Sequence, residues 1–600
     1  MRLRTRRAGL FGACAVIVAA ALASPVSRAG QDPQANPAQT PPTPTGPPRA
    51  PWPKVDPATS LNWSLNTFDL ANAKYVPLDQ INTSTVGSLS VRWLYHTRGS
   101  NATPIVVDGV MYISTQGRTE ALDAATGQLI WDSTVATAAR GVTFGDGKIY
   151  VATRAGAMVA LNAKTGQPVE TFGDKGVSNV LMEVLKARYP NVAAAMDLGY
   201  SFTSAPQYFK NILVIGTANS DQKIPGGWVL AIDGTTGKLL WKFNTIPQGP
   251  DDEGWAIAQD TWVGGVREGG GIWQTPAIDA DTGTLYLVAG NPYPAHDGSA
   301  RKGTNLFTLS FLALDVRTGK LKWHFQQVHH DLWDLDSGQQ PTLFDLPVRG
   351  RTIKALAAGN KNGYVYVLNR ATGEPINPIV ETPVDTSADL PGEAPWPTQP
   401  IPHTAAGQPM EPMAGATIRA VDPQFAALPK VPLYTPPRRS GAVHAPREGV
   451  HYGASSFNPR TRLLYVAGKE LPIYMTVEAV GTKGVPGKME LGGMRVSAAP
   501  ETGYLVALDP ANGETRWRTP LAGGPSTGTL TTSGNVVLVA DRQGTLYAID
   551  AAVGKTLWQF QTGGAIRAGQ ITYAVNGIQY ITVPSGGDVI LTFALPARRR

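Results

Sequence analysis

From residue 61 to about residue 596 the chain runs as short stretches of β-branched and aliphatic residues, each closed by a turn of Gly, Asp or Asn. Runs of this length, bounded by turn residues, predict strands. They follow a repeated unit, Ala-x-Asp-x-x-Thr-Gly-x-x-x-Trp. Copies are Ala121-Leu122-Asp123 with Thr126-Gly127 and Trp131, and Ala231-Ile232-Asp233 with Thr236-Gly237 and Trp241. Three more are Ala313-Leu314-Asp315 with Gly319 and Trp323, Ala507-Leu508-Asp509 with Gly513 and Trp517, and Ala548-Ile549-Asp550 with Gly554 and Trp558. Looser copies centre on Asn162, Asp279 and Asn369. The unit describes a hairpin: apolar alternation ends one strand, Asp or Asn supports a tight turn, Gly supplies a positive φ, and the next strand carries the Trp.

A small sheet built of such hairpins cannot cover its own two apolar faces, so neighbouring sheets must cover them, and a radial array follows. Adjacent anchor Asp or Asn residues commonly stand 36 to 54 residues apart, which suits four-stranded sheets. The long gap from Asn369 to Asp509 holds room for one more blade, around Ser455-Ser456-Phe457-Asn458 and Leu463-Leu464-Tyr465-Val466. Before it lies a Pro-rich excursion over about 383–447, the length of a functional cap or covering loop. The expected fold is all-β: an eight-bladed β-propeller of four-stranded antiparallel sheets over 59–597.

The first residues read differently. Arg2, Arg4, Arg6 and Arg7 precede an apolar run over 10–22, shorter than the roughly 20 residues of a spanning helix, and small residues follow it. Residues 1–29 are expected to be a cleaved signal peptide, so the mature protein is expected to be periplasmic or secreted. Residues 30–58, mostly Pro, Ala, Gln and Thr, cannot bury enough apolar surface to fold and predict a disordered linker. Of the formal charge of +7, five arginines lie in the export segment and three at 598–600, leaving a nearly neutral body. No Lys/Arg stripe with interleaved aromatics remains, which excludes nucleic acid as a partner. The one cysteine, Cys14, falls in the export segment. A disulfide, a thiolate metal site, a Cys nucleophile and a Cys-x-x-Cys-His haem attachment are all excluded for the mature chain.

Between the repeats stand segments that carry chemistry. His329-His330-Asp331-Leu332-Trp333-Asp334-Leu335-Asp336 crowds polar groups after Trp323, and Gly269-Gly270-Gly271-Ile272-Trp273-Gln274 sets a Trp behind a Gly run. Gly290-Asn291-Pro292, Lys361-Asn362-Gly363, Arg140 in Ala139-Arg140-Gly141-Val142, and Thr203 in Phe202-Thr203-Ser204-Ala205-Pro206 complete the set. With the entry segment 63–93, Ala102-Thr103-Pro104-Ile105-Val106 and Asp389-Leu390-Pro391-Gly392-Glu393, these residues resemble the pyrroloquinoline quinone (PQQ)-dependent, or quinoprotein, alcohol and glucose dehydrogenases.

The resemblance implies a dehydrogenase that oxidises an alcohol or sugar hydroxyl. It gives Asp334 the role of general base and places Lys361 against the quinone oxygens, where a fixed cation stabilises charge built up on reduction. Trp273 is expected to stack on the quinone, and Arg140 and Thr203 to meet its carboxylates. Asn291, with Asp334, Asp221 and Asp336, is expected to ligate a cation, and hard oxygen donors suit Ca²⁺, ahead of a lanthanide. Electrons are expected to pass to a separate cytochrome or membrane quinone. The oligomeric state is left open.

The chain also departs from the family. It lacks the adjacent-cysteine disulfide of the alcohol-oxidising branch, Asp221 stands near the place of a metal-ligating Glu, and His451 and Ser526 replace an Asn and a Trp. Two other readings therefore stay open: a non-catalytic propeller of the same repeat acting as a protein-assembly scaffold, and a quinone-binding sensor or decayed enzyme.

Overall fold

The computed structural model describes residues 50–100, 102–135, 140–348, 350–410, 418, 420–447, 449–450 and 453–597. The expected signal peptide, residues 30–49 of the expected linker, the tail 598–600 and His451 lie outside the described residues.

Small antiparallel sheets stand around a common axis, each following chain order from its first strand. One is Ile105–Val107, Val110–Thr115, Arg118–Asp123 and Leu129–Thr134. The first strands of successive sheets touch, Ile105–Val107 against Thr143–Gly145 and that against Gln207–Phe209, so they line the axis. Further sheets begin at Ala277–Asp279, Thr342–Val348, Ser456–Asn458, Leu530–Thr532 and Ile571–Val575. The ring closes by mixing the two ends of the chain: Ser90–His96 supplies the outermost strand of the sheet that starts at Ile571–Val575, pairing with Val589–Ala594. Tyr75–Val76 adds a parallel strand inside Leu530–Thr532.

Among the described residues seven blades, not the expected eight, carry four antiparallel strands. The sheet of Thr342–Val348, Arg351–Gly359 and Val365–Asn369 stops at three. Its repeat turn runs on into Pro375 and Pro378, and Asn377 stands where the full copies of the unit have Trp. Proline has no N–H for the ladder, so the fourth strand fails there. The chain leaves instead as a separate hairpin, Ile379–Pro383 with Thr398–Pro402. The blade expected inside the long gap is present, built on Ser456–Asn458, Leu463–Met475, Thr502–Asp509 and Glu514–Leu521.

The repeat also explains how blades adhere. Trp131 donates its indole N–H to the Ala163 carbonyl of the next sheet at 3.0 Å. A Cβ on Gly166 would lie 2.5 Å from the Trp131 ring. Gly166 thus serves two ends, a positive φ in its own turn and room for the neighbour's indole. Trp241 meets Val316 O at 2.9 Å over Gly319, and Trp323 meets Arg370 O at 3.1 Å over Gly373, in the same manner. Among the described residues no helix is long and apolar enough to cross a membrane.

Candidate active site

In an antiparallel pair, the start of the first strand and the end of the second lie at the same end of the sheet. That rule gathers the candidate residues. Arg140, Thr203 and Trp273 stand just before the innermost strands Thr143–Gly145, Gln207–Phe209 and Ala277–Asp279, and Asp334 and Asp336 stand before Thr342–Val348. Asp221, Asn291 and Lys361 follow the second strands Ile212–Gly216, Thr284–Val288 and Arg351–Gly359. All therefore face one end of the propeller.

They form two adjoining groups. In the first, the Arg140 guanidinium donates to Thr203 Oγ1 at 2.9 Å and to the Trp273 carbonyl at 2.6 Å, with its Cζ 5.0 Å from the centre of the Trp273 ring. All three side chains are half-buried, so an indole face and a cation are presented together. In the second, Lys361 Nζ donates to Asp334 Oδ1 at 3.1 Å and to Asp336 Oδ2 at 2.9 Å. Asn291 donates its backbone N–H to Asp336 Oδ1 at 3.1 Å and its Nδ2 to Asp221 Oδ1 at 3.0 Å. Gly271 joins the groups: its carbonyl accepts from Gly290 N at 2.9 Å, and its N–H donates to Ser220 Oγ at 2.9 Å.

The turn that carries Asp334 is held under strain. Asp334 sits at φ +57°, in the left-handed region that non-glycine residues avoid. The Asp331 carboxylate holds it there by accepting from the backbone N–H groups of Trp333 and Leu335. The buried Arg301 donates to the Asp331 carbonyl at 2.7 Å. His330 Nε2 lies 2.8 Å from Glu393 Oε1 in the Pro-rich excursion, with both side chains almost wholly buried. Burial works against the Glu393 charge, but the His330 hydrogen bond and the charges of His330 and Arg301 prevail and hold its carboxyl below the ordinary range. From the same excursion, Thr435 O accepts the Trp333 indole N–H at 2.7 Å, and Tyr434 packs edge-on against Trp333. The excursion is thus a brace for the Asp334 turn.

Sequence reasoning missed one member. Arg495, on the short strand Arg495–Ser497, contacts Asp334 Oδ2 with Nη1. Burial lowers its tendency to hold a proton, and the charge of Asp221 opposes that. The sequence marks only the Gly492-Gly493 pair before it, which the structure holds at positive φ and which does not point to Asp334. Ser526 stands apart from both groups, donating to the Ile566 carbonyl.

The second group suits a hard cation. The Asn291 Oδ1 is buried and accepts no hydrogen bond among the described residues, a costly state that an ion would relieve. Asp336 and Asp221 accept from the backbone N–H and the Nδ2 of the same residue, and Asp334 is tied to Asp336 through Lys361. The first group offers what a planar, carboxylate-bearing molecule needs, an aromatic face and a guanidinium fork.

Residues 63–490 match the family model described as the glucose/ethanol/alcohol dehydrogenase β-propeller domain, and residues 476–594 match that of the outer membrane protein assembly factor BamB. The chain is 32% identical over 565 residues to quinohemoprotein alcohol dehydrogenase ADH IIB of Pseudomonas putida, covering 88% of this chain and 74% of that protein. It is 30% identical over 577 residues to the dehydrogenase subunit of the alcohol dehydrogenase (quinone) of Gluconacetobacter polyoxogenes, covering 89% and 72%. The solved structure of quinohemoprotein alcohol dehydrogenase from Comamonas testosteroni is similar with a TM-score of 0.71 at 28% identity, covering 90% of this chain and 81% of that one.

Proposed function

The chain belongs to the PQQ-dependent glucose, ethanol and alcohol dehydrogenase family of β-propellers, and from that membership we propose a quinoprotein dehydrogenase that oxidises the hydroxyl of a small alcohol or sugar. The observation that carries the site assignment is the buried cluster in which one ammonium, Lys361, joins Asp334 and Asp336 beside the unpartnered Asn291 oxygen.

When bound, PQQ supplies the carbon that accepts hydride, and a divalent cation supplies a Lewis acid at its carbonyl. Trp273 offers the stacking face, and Arg140 with Thr203 receives carboxylate. Asn291, Asp334, Asp221 and Asp336 hold the cation, proposed as Ca²⁺ with a lanthanide as the alternative. Asp334 takes the proton of the substrate hydroxyl, and its fixed turn keeps the carboxylate aimed. Lys361 bonds both Asp334 and Asp336 and sets a positive charge where negative charge develops. The electrons go to an acceptor outside these residues, a cytochrome or a membrane quinone, since no Cys-x-x-Cys-His occurs in this chain. The basic and apolar run at 1–29 supports export and work in the periplasm, with the propeller over 59–597 as the working part.

Dye-linked oxidation by the purified protein, reconstituted with PQQ and either Ca²⁺ or La³⁺, tests this reading across primary alcohols, polyols and aldoses. Turnover that needs both quinone and cation supports it, and the metal series names the ion. Tight PQQ binding with no turnover on any substrate points to a sensor, and no PQQ binding points to a scaffold.

A further inference from the structure

Both oxygens of Asp334 already face a cation. Oδ1 is 3.1 Å from Lys361 Nζ, and Oδ2 contacts Arg495 Nη1. Each oxygen can still accept a further bond, but Arg495 covers Oδ2 from the solvent side, so a substrate hydroxyl gains room at this carboxylate where one of the two cations gives way. Lys361 is the fixed one, with a side chain 4% exposed and a second bond to Asp336 at 2.9 Å. Arg495 is the movable one. Its side chain is 30% exposed while Asp334 is wholly buried, so it stands between the carboxylate and solvent. Its strand pairs with Ile473, Tyr474 and Met475, beyond the stretch of Leu463–Met475 that pairs with Thr502–Asp509. It therefore hangs outside the blade ladder.

We propose that Arg495 reads the substrate, and that the preferred substrate is an alcohol carrying a carboxylate close to the hydroxyl that is oxidised, a hydroxy acid. This rests on the dehydrogenase reading and deepens it. A guanidinium drawn away from Asp334 in a half-buried mouth is short of water and gains from a new anion. A carboxylate meets its planar fork through two parallel hydrogen bonds, a fit that a Lys ammonium does not reproduce. In a hydroxy acid the carboxylate engages Arg495 while the neighbouring hydroxyl takes the vacated place at Asp334 Oδ2. A neutral alcohol must displace Arg495 without offering it a partner.

The test uses the protein reconstituted with PQQ and Ca²⁺. Calorimetry compares lactate and glycerate with their neutral counterparts, 1,2-propanediol and glycerol, in the parent, Arg495→Ala and Arg495→Lys. The parent is expected to bind each acid at least tenfold tighter than its counterpart, Arg495→Ala to lose that preference, and Arg495→Lys to regain part of it. In turnover, the ratio of kcat/KM for acid over neutral alcohol is expected to fall at least tenfold in Arg495→Ala. Equal binding of acid and alcohol by the parent, or a preference that survives in Arg495→Ala, overturns the proposal. A PQQ titration separates the other source of carboxylate: lost PQQ affinity in Arg495→Ala assigns Arg495 to the cofactor and also overturns it. Absence of turnover on every alcohol sinks the dehydrogenase reading, whereas the binding preference still decides the role of Arg495.

Discussion

Lys361 Nζ stands 3.1 Å from Asp334 Oδ1, and neither side chain is more than 4% exposed. The same ammonium reaches Asp336, so two buried carboxylates share it, with Arg495 as a second cation at Asp334 only. Lys361→Met leaves both without it, and breaking a buried pair from one side costs about 3–5 kcal/mol. The expected outcome is a clear fall in thermal midpoint, partly restored in Lys361→Arg. An unchanged midpoint in Lys361→Met would show that the pairing carries no stability.

Asp334→Asn keeps the shape of the side chain and removes its basicity. PQQ binding, followed by absorbance titration, is expected to persist. Turnover is expected to fall by about 10²- to 10⁴-fold, the range that general base catalysis supplies. Near-normal kcat would take Asp334 out of the base role.

Gly290 lies at the seam of the two groups. A Cβ there would come 2.1 Å from Ser220 Oγ and 2.9 Å from Asp336 Oδ1. Gly290→Ala is expected to cost about 1–3 kcal/mol through overpacking. It also pushes Asp336 away from Asn291, so more added cation should be needed for half-maximal activity. A metal titration identical to that of the parent would argue against the proposed ligand set.

Lys74 is 5% exposed, and burial pushes its ammonium down from 10.5 to about 8. The unfolded chain therefore binds more protons than the folded one between about pH 8 and 10.5, so stability rises with pH across that window. A shift of this size corresponds to about 3 kcal/mol across the window. Denaturant melts from pH 7 to 11 should show the rise in the parent and its loss in Lys74→Met, which is expected to be the more stable of the two at pH 7. Parallel curves for the two proteins would place the Lys74 ammonium in contact with water.

Sequence alone determined the strand content, the repeat and the fact that blades must cover one another, because a hairpin is written within about ten residues by turn chemistry and apolar alternation. Asp123, Thr126, Gly127 and Trp131 announce theirs, and Pro375 and Pro378 equally announce the missing fourth strand, although the eight-blade expectation passed over them. Asp334, Lys361, Asn291, Asp336 and Asp221 are legible in the sequence through resemblance, and the tertiary structure brings them into one bonded cluster.

What only the tertiary structure decided is which distant residues meet. Arg495 reaches Asp334, and Glu393 reaches His330, across separations that no local pattern spans. Glycine also has a second role that the repeat does not reveal. Gly166 is legible as a turn residue, but its clearance for the Trp131 ring belongs to the contact between two sheets. Those meetings join segments far apart in the chain, as does closure of the ring itself, where Ser90–His96 pairs with Val589–Ala594. Closure is a condition on the whole chain at once, so it leaves no mark on a short stretch of sequence, whereas a turn leaves its mark residue by residue.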